Sequence, residues 1–125
     1  MTTQQSITSA AQSSPDCIFI ANESFLFTAV VACIARTTDA AWQRAYNKAW
    51  RELLSNPFTQ WDGARLYAPS HSNPAREYAA TSASCQCPAG VHSKPCWHRA
   101  GAEIMGRYDQ MLQRQRDQVV AVSGR

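Results

Sequence analysis

Neither lysine nor arginine occurs before Arg36. A secretory leader needs a positively charged segment ahead of its apolar stretch, so this start does not fit one, and a cytoplasmic protein is expected. Long hydrophobic runs are missing too. The nearest approach, Phe25 to Ala35, is interrupted only by Thr28; as a helix it rises about 16 Å, roughly half of a bilayer core. It reads as a core element, and no membrane span is expected. Paired carboxylates, a nucleophile elbow and a glycine-rich phosphate loop are also absent, so nothing points to an enzyme. The five cysteines are an odd number, which argues against a complete disulfide framework. In a reducing compartment, clustered cysteines are more often metal ligands.

What is present fits one ordinary globular domain: 125 residues, 45% hydrophobic and 17% charged. Residues 1–17, rich in Ser, Thr, Gln and Ala, read as a disordered leader. Residues 18–60 read as helical. Glu23 to Arg36 is apolar and partly β-branched, but the run is too long for a typical strand. A second helix starts at Thr38 or Asp39 and stops at Asn56-Pro57. Trp42, Ala45, Tyr46, Ala49, Trp50, Leu53 and Leu54 recur on it at helical spacing.

Residues 61–117 differ in character. Ala64–Ser70 and Arg76–Thr81 predict a β-hairpin with a longer loop carrying His71. A final helix is expected from Trp97 to about Asp117, with Arg99–Glu103 and Glu103–Arg107 at i, i+4. Residues 118–125 are expected to fray. The fold class expected is α+β, an N-terminal helical part packed on a ββα unit within a single compact domain.

Between hairpin and last helix lies SCQCPAGVHSKPCWHRA, which holds Cys85, Cys87, Cys96 and His98. Three thiols and an imidazole suit a tetrahedral Cys₃His zinc site. Cys85 and Cys87, at i, i+2 after a strand, are expected to point to one side. Pro88, Gly90 and Pro95 turn the chain back, and Cys96 and His98 fall at the start of the helix, whose positive end favours thiolates. Ordinary buried cysteines and a regulatory thiol cluster are the other readings. His92, in the loop between the pairs, is a fifth candidate ligand. Four ligands fill a tetrahedral zinc, and no carboxylate lies inside the motif, so the zinc is expected to be structural. Cys17 and Cys33 sit in apolar surroundings and read as core thiols.

The hairpin, Cys85-x-Cys87, the Pro-Gly loop, Cys96-x-His98 and the following helix resemble a SWIM-type zinc finger over roughly residues 66–112. That resemblance implies a ββα unit on one zinc held by Cys85, Cys87, Cys96 and His98, with roles in binding DNA or another protein. Members of the family occur in helicase-like ATPases, Mutator-type transposases, recombination mediators and ubiquitin-ligase proteins. Arg99 stands after the histidine, where many members carry an apolar residue, and no helicase, transposase or kinase motif is visible. A stand-alone SWIM protein of a bacterial or phage type is therefore expected.

Charge supplies the partner. Residues 36–125 hold twelve cations against seven anions, a local net charge of +5, and ten of the twelve are arginine. Arginine suits bidentate phosphate contacts. Arg44, Lys48 and Arg51 form a stripe on the second helix; Arg65, Arg76, Lys94, Arg99 and Arg107 surround the cysteine motif, with Tyr67, Tyr78 and Trp97 among them. The expected function is nucleic-acid binding, most of all DNA, without strong sequence specificity. The alternative is an interaction module docked on a larger protein, whose sign would be an exposed apolar surface involving Phe25, Phe27, Trp42 or Trp50.

Overall fold

A computed structural model describes residues 20–70 and 75–123. The expected leader over 1–17, Cys17 and His71 lie outside the described residues. Asn22 opens the first helix, α1 (Glu23–Ala35), its side-chain oxygen accepting the Phe25 N–H at 3.0 Å. Leu26, Ala29, Val30 and Cys33 form the buried stripe at helical spacing. The β-branched residues therefore do not make a strand here, because the cap and the buried face both select the helix. Asp39 caps α2 (Ala40–Ser55), accepting the Ala41 N–H at 2.8 Å. Pro57 excludes Asn56 from helical conformation, and Asn56 is extended, at φ −89° and ψ 109°.

The sheet is antiparallel with three strands in the order β1 (Gln60–Trp61), β2 (Leu66–Pro69) and β3 (Glu77–Ala80). The expected hairpin is β2–β3, registered from Leu66 opposite Ala80 to Pro69 opposite Glu77. β1 was not anticipated, since two residues carry no readable alternation. It is set by the following turn: Asp62 Oδ1 accepts the N–H groups of Ala64 and Arg65, and Gly63 supplies a left-handed φ of 98°. The Arg65 and Ala64 N–H groups, with the Tyr67 hydroxyl, hold the Asp62 carboxyl below its usual range.

After a single four-residue turn of helix, α3 (Pro88–Val91), comes α4 (Trp97–Ser123). It passes the expected end near Asp117. No glycine or proline intervenes before Gly124, so the expected fraying over 118–123 gives way to helix.

Two cores result, and α4 contributes to the larger one, while Cys96, just ahead of its first residue, belongs to the smaller. The larger one joins Leu26, Val30, Tyr46, Leu53, Leu66, Ile104, Met105 and Tyr108 across α1, α2, β2 and α4. The smaller one consists of Ala80, Cys85, Cys87 and Cys96, with Tyr78 and Ala89 against it.

Glu103 ties the helices of the larger core together. Its carboxylate accepts the Tyr46 hydroxyl at 2.6 Å and Arg36 Nη1 at 3.3 Å, with Arg107 at 3.9 Å. The expected Arg99–Glu103 pair does not form; Arg99 instead lies 4.9 Å over the Trp42 ring and donates to the Ser82 carbonyl.

Burial, reinforced by the Glu103 carboxylate, pushes the neighbouring Cys33 thiol up to about 12 from an ordinary 9.0. Between those values the folded chain keeps a proton that the unfolded chain releases, so stability falls as pH rises through that window. Burial and Glu103 raise Tyr46 in the same direction. Urea midpoints measured from pH 8 to pH 11 should decline, and more shallowly in Cys33→Ala. An identical decline in both proteins would show that Cys33 is not the titrating group.

Candidate metal centre

Cys85 was expected directly at a strand end, but β3 stops at Ala80. Thr81 Oγ1 accepts the N–H groups of Ala83 and Ser84, and the Thr81 N–H bonds the Ser84 carbonyl at 2.8 Å, which turns the chain. Cys85 then returns beside Ala80 as an isolated antiparallel bridge. Cys87 follows as the cap of α3, whose turn folds the chain against the back of Cys85. A Cβ at Gly90 would lie 2.5 Å from the Cys85 carbonyl oxygen and 2.6 Å from its Cβ, so only glycine fits there. Ser93, at φ 59°, reverses the chain towards Cys96 at the entrance of α4.

These turns bring four ligand atoms, from Cys85, Cys87, Cys96 and His98, within 4.8 Å of one another. The three cysteines are buried, while His98 is half-buried as a whole residue, with its ligand atom in the enclosed group. His98 Nδ1 faces Cys85 Sγ at 3.6 Å. A tetrahedral centre with metal–sulfur bonds of about 2.3 Å and metal–nitrogen bonds of about 2.05 Å has a sulfur–nitrogen edge of about 3.6 Å. The four side chains can thus hold one metal ion. Their ring neighbours are Trp97 and Tyr78, with centroids 4.4 Å and 5.7 Å from that of His98.

Each sulfur is met by a backbone donor. The Cys87 N–H points at Cys85 Sγ (3.4 Å), the Gly90 N–H at Cys87 Sγ (3.3 Å) and the Arg99 N–H at Cys96 Sγ (3.5 Å). Donors directed at sulfur favour the thiolate, the form that binds metals. Cys85 and Cys96 shift in opposite directions because each acts on the other. The hydrogen bond from Cys85 draws Cys96 down to about 4, with further help from His98 and the Arg99 N–H against the cost of burial. The same bond, and burial after it, drive Cys85 upward. A metal ion bound among these atoms would favour the thiolate form of all three cysteines.

His92 caps the end of α3, exposed, and is not among the four. The cations fall into separate settings. Arg44 and Lys48 border a groove that runs from α2 to the metal-binding loop, and Arg51 lies a turn further along α2. Arg65 lines a hollow with Tyr67 and Gln86 beside the β2–β3 pair. Arg76 and Lys94 are exposed, while Arg99 and Arg107 are engaged as described above. Among the described residues, no hydrogen bond or ion pair engages the side chains of Arg44, Lys48 or Arg51. No described helix is long and apolar enough to cross a membrane.

Comparison of the chain with protein-family models, with curated proteins and with solved structures finds no match.

Proposed function

We propose that this protein is a zinc-stabilised accessory protein of the cytoplasm, built on a SWIM-type ββα unit, that binds DNA without strong sequence specificity. Zinc is the metal favoured by a Cys₃His donor set of soft thiolates and one imidazole. Its role is structural: the donors already number four, and Glu103, the carboxylate nearest in sequence to the motif, is occupied by Tyr46 and Arg36. When bound, the zinc supplies a cross-link between the turn after β3 and the start of α4.

The observation that carries the DNA reading is the row Arg44, Lys48 and Arg51, three cations on one face of α2 whose side chains make no ion pair among the described residues. Exposed side chains that repeat along a helix can follow a phosphate backbone and release its counterions. Fluorescence anisotropy with a labelled oligonucleotide should show affinity falling steeply between about 50 and 200 mM salt. Absence of binding at low salt would contradict the reading.

An exposed apolar face supports a second reading, docking on a larger protein. Phe27, stacked edge-on against Trp50 at 5.5 Å, is 54% exposed, and Val31 and Leu54 are exposed on the same two helices. Phe25 and Trp42, by contrast, pack on the core. Co-purification of a stable partner, lost in Phe27→Asp and kept in Arg44→Glu, would favour this reading over DNA binding.

A further inference from the structure

The groove beside the metal centre has an uneven lining. Arg44 and Lys48, four residues apart on α2, line it from that helix, and Tyr78, Trp97 and the metal-site residues Cys87, Cys96 and His98 line it from the sheet, the metal-binding loop and the start of α4. Among the described residues no carboxylate lines it, and its volume is about 540 Å³, within the roughly 300–1,000 Å³ of ligand-binding clefts. Lys48 is half-buried and Arg44 exposed, both without partners among the described residues. A concave site with cations on one side and aromatic side chains on the other is complementary to a phosphate joined to a flat ring.

Resting on the DNA reading above, we infer that this groove seats a nucleotide of single-stranded DNA, its phosphate on Arg44 and Lys48 and its base against Tyr78. Strands held without sequence readout use this combination of a cationic groove and aromatic surfaces. The bases of a duplex are stacked inside it and cannot reach a concave floor, so the groove selects a single strand. The phosphate wall belongs to α2 and the base wall to the sheet and metal-binding loop, so the seat exists only when the two cores are assembled on each other. This gives the helical half of the chain a part in recognition and sets the seat against the metal centre, whose Cys87, Cys96 and His98 also line the groove.

The test is anisotropy of fluorescein-labelled oligothymidylate of about twelve nucleotides, and of a duplex of equal length, over a salt series with the full chain. The wild type should bind the single strand more tightly than the duplex. Arg44→Ala with Lys48→Ala should weaken single-strand binding at least tenfold at low salt and lower the log–log salt slope by about 0.7, the contribution of the one phosphate that the two cations share. Both substitutions are on a solvated helix face and leave the core intact; circular dichroism checks the fold. Tyr78→Phe, which keeps the ring, should retain binding, and Tyr78→Leu should lose roughly tenfold when compared at equal zinc content. Single-strand binding that the Arg44 and Lys48 substitutions leave intact would overturn the groove and spare the DNA reading. Equal affinity for duplex would overturn the single-strand assignment. Absence of binding to either oligonucleotide at low salt would overturn both readings.

Discussion

Cys87→Ser is expected to abolish metal binding and to unfold the region from β3 through the metal-binding loop while the three long helices stay formed. The smaller core explains the selectivity. Besides the three cysteines it contains Ala80, with Tyr78 and Ala89 against it, and so little apolar surface cannot offset the entropy of ordering a loop. In small zinc modules the metal contributes about 10–16 kcal/mol of apparent binding energy, which is coupled to folding. The larger core, centred on Leu26, Leu66, Ile104 and Met105, has no cysteine ligand in it. Hydrogen exchange should therefore show loss of protection over residues 77–96 in Cys87→Ser, and in the wild type after strong chelation, with protection kept in α1 and α2. Equal protection of the loop with and without chelator would contradict a structural metal.

Gly90→Ala is the second large expected effect, and it is steric. The added methyl group meets the backbone carbonyl of Cys85 and the Cys85 Cβ, not the free end of a flexible side chain. Either α3 or Cys85 must move, which misdirects the Gly90 N–H bond to Cys87 Sγ and spreads the ligands. Metal affinity should fall by roughly 10–100-fold, the range found when groups that orient metal ligands are altered. Gly63→Ala provides the contrast. Gly63 has open space around it and a left-handed φ, so alanine there should cost about 1–2 kcal/mol of stability through backbone strain and leave metal affinity unchanged. Competition titration with a chromophoric chelator, alongside thermal melts, separates the two outcomes. Equal metal affinity in both variants would show that the close approach at Gly90 does not shape the centre.

The parts legible in the sequence were those with local causes. Asp39 as a cap, Pro57 as a stop, the alternating hairpin segments and the close spacing of Cys85, Cys87, Cys96 and His98 act within a few residues of themselves. The turn at Thr81–Ser84 is also local, carried by the Thr81 hydroxyl, but the continuous strand pattern around it hid the signal. β1 is too short to show a period. The helix α4 runs past the end expected near Asp117 because residues 118–123 hold no glycine or proline to stop it.

Tertiary facts were not legible. The link from Tyr46 and Arg36 to Glu103 spans 57 and 67 residues, and it displaces the local Arg99–Glu103 pair that helix spacing suggests. The placement of Arg44 and Lys48 beside the metal-binding loop likewise depends on how α2 packs against α4. Helix periodicity places those cations on one face but says nothing about what that face adjoins.

Native mass spectrometry of the intact chain, purified without added metal and combined with thiol counting, tests the central claim most directly. One zinc per chain is predicted, with Cys85, Cys87 and Cys96 protected from alkylation until a chelator removes the metal and all three react together. A folded chain at its metal-free mass, with those thiols alkylated at the same rate with and without chelator, would contradict it.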